Sequence, residues 1–160
     1  MIAAPALARA IGREGADAVA AAHPGLLLVD GTAVERTADG PEDRSAALLA
    51  ALKALAELGR AGRRSVAVVG ALPQADWEEH DRIGRIVVRL DIRLLVAVGH
   101  DARHLHAAAG LEGSWDGEAL LVADDEEAYD VVRELLHGDE VVLVTRPGVL
   151  RRLAREAAPA

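Results

Sequence analysis

Short runs of apolar residues, rich in valine and leucine, recur along the chain between polar segments. Five stand out: "LLLVD" (26–30), "SVAVVG" (65–70), "LLVAVG" (94–99), "ALLVA" (119–123) and "EVVLVT" (140–145). The runs are continuous, whereas a strand with one face in water alternates apolar and polar positions. This pattern predicts strands of a parallel sheet that is buried on both faces.

The segments between most of these runs carry apolar residues at helical spacing. The positions are Leu48, Leu52, Leu55 and Leu58, then Ile83, Val87 and Leu90, then Ala128, Val131, Val132, Leu135 and Leu136, and last Val149, Leu150 and Leu153. Asp76 with Glu79, and Asp124 or Asp125, supply helix-start signals, and Gly138 is the predicted end of the third helix. The order predicts one doubly wound α/β domain over residues 26–157. Its sheet is mostly parallel, with five or six strands and helices on both faces, and a helical extension precedes it over residues 1–25.

Composition removes several classes of function. The chain has 160 residues, no cysteine, no asparagine and a single lysine, Lys53, so thiolate chemistry is excluded and a catalytic lysine has almost nowhere to lie. The formal net charge of −8 argues against nucleic acid and anionic membranes as partners. No signal peptide or membrane span is recognisable, and we expect a cytoplasmic protein.

Sheets of this kind bind ligands beyond the carboxyl ends of their strands. The loop after the second run, "ALPQADW" (71–77), follows one glycine, contains a proline that lacks an amide proton, and adds the carboxylate of Asp76. A phosphate loop needs several converging amides and usually a cation, and neither GxxxxGK[ST] nor GxGxxG occurs in the chain. We therefore interpret this loop as a tight turn before a capped helix.

Four residues near the predicted strand ends are candidates for ligand binding: Asp30, His80, Thr145 and Arg146. Asp30 could hold a ribose or a metal-bound water, or it could cap its own loop. His80 could act as an acid–base group, although a partly buried helix residue is the more usual case. Arg146, which follows Thr145, is the best anion-binding candidate because a guanidinium binds carboxylate or phosphate bidentately.

No metal site and no catalytic group are predicted. His100 and His104 could share a helix face next to Asp101, but a metal needs a third ligand and supporting hydrogen bonds, and we favour solvated helix residues. Asp124 and Asp125 look like paired carboxylates, which helix capping explains. Trp77 could stack on a ligand or cover the start of its helix.

The blocks "GRRSVAVVG" (62–70), "EEHDRIG" (78–84) with "LLVAVG" (94–99), and "GDEVVLVTRPG" (138–148) occur in an order that resembles the C-terminal domain of Mur ligases. The likeness is strongest to the members that add D-alanyl-D-alanine, and it covers residues 26–157. The resemblance implies a Rossmann-like fold and a place in peptidoglycan biosynthesis in the cell wall.

The family's working residues mostly do not carry over. Asp30 matches the aspartate of a nucleotide-contacting motif whose asparagines are missing here, and His80 matches a histidine of the family's Glu-Glu-His stretch. Thr145 stands where the family has a lysine, and whether Arg146 replaces the family's arginine is open. The resemblance therefore implies a degenerate active site.

Three hypotheses follow. The first is a stand-alone Mur-ligase-C-terminal-like module that does not catalyse on its own and is accessory to the ligation of peptidoglycan precursors or a related ATP-dependent amide ligation. The second is a subunit of a split ATP-dependent ligase, whose partner chain supplies the ATP and UDP-sugar domains. The third is an unrelated small-molecule-binding α/β protein. No cofactor is expected, and ATP with Mg²⁺ would bind only if a partner chain completes the site.

Overall fold

The computed structural model describes residues 27–36 and 40–157, so the helical extension predicted for residues 1–25 lies outside the described residues. In this part of the chain, five strands form one parallel sheet: β1 (Leu27–Asp30), β2 (Arg64–Gly70), β3 (Leu94–Val98), β4 (Glu118–Val122) and β5 (Glu140–Val144). Their order across the sheet is β1-β5-β2-β3-β4. The last strand thus lies between the first two, with Val142 beside Leu28 on one side and Val66 on the other. The predicted fold class is confirmed.

Among the described residues, six α-helices connect and flank these strands. They are α1 (Ala33–Arg36), α2 (Pro41–Arg60), α3 (Trp77–Arg89), α4 (Arg103–Gly110), α5 (Asp125–Leu135) and α6 (Pro147–Ala157), with a 3₁₀ turn at His100–Ala102. Asp76 caps α3 by accepting a 2.8 Å hydrogen bond from the Glu79 amide, and Asp124 caps α5 in the same way, as predicted. None of the described helices has the length and apolar character needed to cross a membrane.

Helices cover both faces of the sheet because successive strand residues point to opposite sides. Val29, Ala67, Leu95 and Leu143 face α2, α3 and α4, and together they form one core. Their neighbours in the same strands face α5 and α6 and form a second core around Val132. The chain has no phenylalanine, and the cores on either side of the sheet are built mainly from Val, Leu, Ile and Ala.

The helices α3 and α4 cross in close contact at Gly84. A Cβ atom at this position would lie 2.5 Å from the carbonyl oxygen of Leu105 and 2.9 Å from Cβ of Ala108. The crossing therefore requires a residue without a side chain. It holds α4, which has few large apolar residues of its own, against the sheet.

A buried carboxylate stabilises the turn before β5. Glu140 has no exposed surface, and its carboxylate accepts hydrogen bonds from the amides of His137, at 2.8 Å, and Gly138, at 2.8 Å. Gly138 has φ of 103°, a conformation that favours glycine. Helix α5 ends at Leu135, so Gly138 belongs to this turn and the predicted helix end was placed too late.

Candidate functional site

A crevice of about 940 Å³ opens at the carboxyl ends of the strands. Its walls are the loops that follow β2 (71–75), β3 (99–103) and β4 (123–126), together with Arg146 after β5. The loops after β2 and β3 lead to α3 and α4 on one face, whereas those after β4 and β5 lead to α5 and α6 on the other. Such a divergence of loops leaves the opening in which open α/β sheets bind ligands.

His80 holds the wall formed by the loop after β2. The side chain is buried, its Nε2 accepts a 3.0 Å hydrogen bond from the Leu72 amide, and its Nδ1 lies 2.8 Å from the carbonyl oxygen of Asp76. Because an amide N–H only donates, these contacts assign the proton to Nδ1, which donates to Asp76. Both ring nitrogens are thus used within the protein, which favours the structural interpretation of this residue.

The same loop offers few amides to a phosphate. Leu72 N donates to His80, Ala75 N donates to the carbonyl of Leu72 at 3.2 Å, and Pro73 has no N–H. Arg44 donates from α2 to the carbonyl of Pro73 at 3.1 Å and so fixes the loop from outside. The geometry supports the interpretation of a tight, tethered turn.

The first turn of α3 is fixed by an ion pair on its exposed side. Arg82 donates two hydrogen bonds to the Glu79 carboxylate, and these hold the pKa of that carboxyl below its usual value. A bond from Ser45 on α2 acts in the same direction, while burial opposes it. The start of α3 is thereby attached to α2.

Arg146 lines the crevice, but its guanidinium is already engaged. Its Nε donates to Oδ1 of Asp125 at 2.8 Å and its NH2 to Oδ2 at 3.4 Å. A Cβ atom on Gly148 would lie 2.8 Å from Oδ2 of Asp125, so this carboxylate packs tightly against the start of α6. Capping explains Asp124 but not Asp125, whose carboxylate binds Arg146; our interpretation of the pair was wrong for Asp125.

Asp30 and Thr145 do not line the crevice. Asp30 Oδ1 accepts hydrogen bonds from the amide of Thr32, at 2.8 Å, and from its hydroxyl, at 2.6 Å. Thr145 is buried, and its hydroxyl oxygen accepts a 3.3 Å bond from the amide of Gly70. Of the four candidates, the structure therefore brings only His80 and Arg146 to the crevice.

Trp77 and His104 form the mouth of the crevice. Their ring centroids are 6.1 Å apart at an interplanar angle of 50°, and Trp77 is 58% exposed. His100, Asp101 and Arg103 lie on the same side of the opening. His104 was not among the candidates, because only the folded chain brings it next to Trp77. Within residues 27–36 and 40–157 no group of three metal-ligating side chains is present.

The charges of the crevice are mostly negative. Asp101, Asp124, Asp125 and Glu126 line it, against the cations Arg103 and Arg146. Because Asp125 neutralises Arg146, the guanidinium of Arg103 is left to balance three carboxylates. These belong to Asp101, Asp124 and Glu126. The single lysine, Lys53, is exposed on α2 and is not part of the lining.

Comparison with known proteins identifies relatives of this chain by sequence. No protein-family model matches the chain. The UDP-N-acetylmuramoyl-tripeptide–D-alanyl-D-alanine ligase of Mycobacterium leprae is 41% identical over 91 residues, which are 54% of this chain and 18% of that protein. The ligases of the same name from Mycobacterium bovis and Mycobacterium tuberculosis are 36% identical over 129 residues, which are 71% of this chain and 25% of those proteins.

The chain is a homologue of one segment of these Mur ligases. The resemblance to the C-terminal domain of Mur ligases predicted from the sequence is confirmed. The chain spans about a quarter of the length of the curated relatives that it matches. Within this Mur-ligase-like domain, residues 111–117 connect α4 to β4 and lie at the amino ends of the strands, where Trp115 donates to the carbonyl of Ile92 at 2.9 Å.

Proposed function

We propose that this Mur-ligase-like domain is an accessory module of peptidoglycan-precursor ligation, or of a related ATP-dependent amide ligation, in the cytoplasm. The relatives are named for joining D-alanyl-D-alanine to a UDP-N-acetylmuramoyl-tripeptide, which supports that field of action. We further propose that the domain does not catalyse ligation by itself and that its protein partner is a ligase-like chain, with no role for nucleic acid or a membrane.

One observation carries this proposal: the crevice has an excess of carboxylates, and its Arg146 is bound by Asp125. Transfer of a phosphoryl group needs converging amides and free cations around the phosphates. Here the Leu72 amide in the loop after β2 is used by His80 and the Ala75 amide by the loop itself, and Pro73 has no amide proton. The carboxylates repel a triphosphate, and Mg²⁺ would screen that repulsion only in part.

Isothermal titration calorimetry with Mg-ATP at moderate ionic strength tests the catalytic part of the proposal. We expect an affinity weaker than about 1 mM, which corresponds to a binding free energy of about −4 kcal/mol. An Arg146→Ala variant is the matched control and should behave like the original chain. Saturable binding in the micromolar range that Arg146→Ala abolishes would show that the crevice holds phosphate and would reject the proposal.

A capture experiment tests the accessory part. The domain is tagged, cross-linked in cells that express it, and recovered with its bound proteins. We expect a ligase-like chain to be recovered with the original domain and lost with Trp77→Ala, because Trp77 is the exposed aromatic residue at the mouth. The matched control is Leu111→Ala, which removes another exposed apolar side chain at the amino ends of the strands. Recovery of no ligase-like chain with any bait would contradict the proposal.

The second candidate function is a subunit of a split ATP-dependent ligase, in which a partner chain completes the nucleotide site with ATP and Mg²⁺. The open crevice and its exposed mouth favour this alternative, since a second surface could cover them. Adding the captured partner distinguishes the two: a split ligase hydrolyses ATP only when both chains are present, whereas an accessory module leaves the partner active alone. The similarity to Mur ligases disfavours the third hypothesis, an unrelated small-molecule-binding protein.

A further inference from the structure

A second cleft, of about 570 Å³, opens at the opposite end of the sheet from the crevice. It lies where α2 ends, β2 begins and α3 ends. Five arginines line it: Arg60, Arg63, Arg64, Arg89 and Arg93. We call it the arginine cleft. A concentration of cations is unexpected on a chain whose formal net charge is −8.

The charges of the arginine cleft do not cancel. Its lining includes two carboxylates, Asp91 and Asp139, against the five guanidinium groups. The carboxyl ends of α2 and α3 point to the same region, and each adds about half a negative charge. Glu140 lies on the neighbouring strand, but its carboxylate is turned to the amides of the turn before β5. Arg63 already has a partner within the protein and Arg93 is paired with Asp91, so neither is counted. The guanidinium groups of Arg60, Arg64 and Arg89 then face Asp139 and the two helix ends, which leaves about one positive charge uncompensated.

Most of these cations are available to a ligand. The side chains of Arg60, Arg64 and Arg89 make no hydrogen bond or ion pair with any other residue that the structure describes. Arg93 is held by Asp91, with 3.3 Å between NH1 and Oδ1. Arginine side chains that are used only to stabilise the helix ends would donate to the last carbonyl groups of those helices, and these three do not.

A buried hydroxyl also faces the arginine cleft. Ser65, the second residue of β2, is 2% exposed and belongs to the lining. Its oxygen accepts a 3.1 Å hydrogen bond from the amide of Arg93, and its proton is donated to no residue in the described part of the chain. Gly59 leaves room for this hydroxyl, since a Cβ there would lie 3.3 Å from it. Buried donors normally have an acceptor, and an anion in the cleft would supply one.

We propose that the arginine cleft binds a phosphate-type oxyanion, either a phosphate or a pyrophosphate group. A phosphate has several acceptor oxygens and about two negative charges, and a pyrophosphate has more of both, which suit planar guanidinium donors and one hydroxyl. The site lies at the far end of the sheet from the crevice and shares no lining residue with it.

Titration of the isotope-labelled chain with inorganic pyrophosphate, followed by amide chemical shifts at low ionic strength, tests this proposal. We expect saturable shifts confined to the end of α2, the start of β2 and the end of α3. Arg60→Ala combined with Arg89→Ala should weaken binding by at least about tenfold, and Ser65→Ala by about three- to fivefold, as expected for loss of charged and neutral hydrogen bonds. Arg82→Ala, on the same helix as Arg89 but near its start, is the matched control and should bind normally.

A parallel titration with ADP identifies the source of the oxyanion. Equal affinities for ADP and pyrophosphate support a site for the oxyanion itself, whereas tighter binding of ADP supports recognition of the phosphate end of a nucleotide. Absence of saturable binding, or equal weakening by Arg82→Ala and by the double variant, overturns the proposal. The arginines of the double variant are exposed, so the variant is expected to fold, and its thermal unfolding checks this.

Discussion

Replacing Gly84 by alanine tests the crossing of α3 and α4. The new Cβ would be placed 2.5 Å from the carbonyl oxygen of Leu105, and it would also lie 3.2 Å from the amide nitrogen of Ala109. Both are backbone atoms, so no side chain can turn aside to make room. The two helices must separate, and the core residues that α4 contributes must move with it.

The expected cost follows from these distances. Close C–H···O contacts in proteins have carbon–oxygen separations of about 3.3–3.6 Å, so α4 must retreat by about 0.8 Å or more. Overpacking of this kind typically costs about 1–3 kcal/mol. Alanine is favoured over glycine within a helix by about 1 kcal/mol, which offsets part of the cost. We expect Gly84→Ala to lower the free energy of unfolding by up to about 2 kcal/mol, which for a chain of this size lowers Tm by up to roughly 8 °C.

Urea denaturation followed by circular dichroism measures this difference. Gly110→Ala is the matched control, because Gly110 ends α4 and a Cβ there would meet no atom within 4 Å. That variant should be as stable as the original chain or slightly more stable. If Gly84→Ala is as stable as Gly110→Ala, the helices do not cross as closely as described, and the reasoning is refuted.

Three further predictions concern single hydrogen-bonded groups. Thr145→Val leaves the buried amide of Gly70 without its acceptor and should lower the free energy of unfolding by about 1–3 kcal/mol. Thr145→Ser keeps the hydroxyl and should retain most of the stability of the original chain. A valine variant that is as stable in urea as the original chain would contradict this. Glu140→Leu removes the acceptor of two backbone amides and should cost at least about 2 kcal/mol, with Glu140→Gln less affected; a calorimetric Tm equal to that of the original chain would show the turn to be independent of it. Because the pKa of Glu79 is lowered by Arg82, its stabilisation is present above the usual glutamate pKa and disappears as pH falls through the lowered value. Solvent screening limits this stabilisation to about 0.5 kcal/mol, so Glu79→Gln should be slightly less stable than the original chain near neutral pH. The difference should shrink as the pH falls below the usual glutamate pKa; a difference that widens in acid would be inconsistent with this sign.

Local features of the fold were predictable from the sequence because short-range physics determines them. The five continuous apolar runs correspond to the five strands, since a strand buried on both faces needs no alternation. Burial on both faces holds for the inner strands, whereas the edge strand β4 is partly exposed, with Leu121 41% exposed. Asp76 and Asp124 cap helices because a short acidic side chain can reach an amide three residues ahead. The location of the crevice at the strand ends also follows from the α/β pattern.

Features that depend on tertiary contacts were not predictable. Arg146 and Asp125 are 21 residues apart, and no spacing rule indicates that they form an ion pair. Helix α4, "RHLHAAAG", was not delimited because alanines do not form a strong apolar stripe, and its packing depends on the glycine opposite, Gly84. The position of β5 between β1 and β2 was also not predictable, because all five apolar runs look alike.

The insertion of β5 between β1 and β2 has a consequence for folding during synthesis. Among the described strands, β1 pairs only with β5, and the residues of β5 are synthesised almost a full domain length later. Before residues 140–144 are synthesised, β2 can pair with β3 and β3 with β4, but β1 has no partner. Closing such a long loop is entropically costly and slow. We therefore expect β1 to remain exposed until late in translation, so that chaperones, or another unpaired strand, compete for it until β5 arrives.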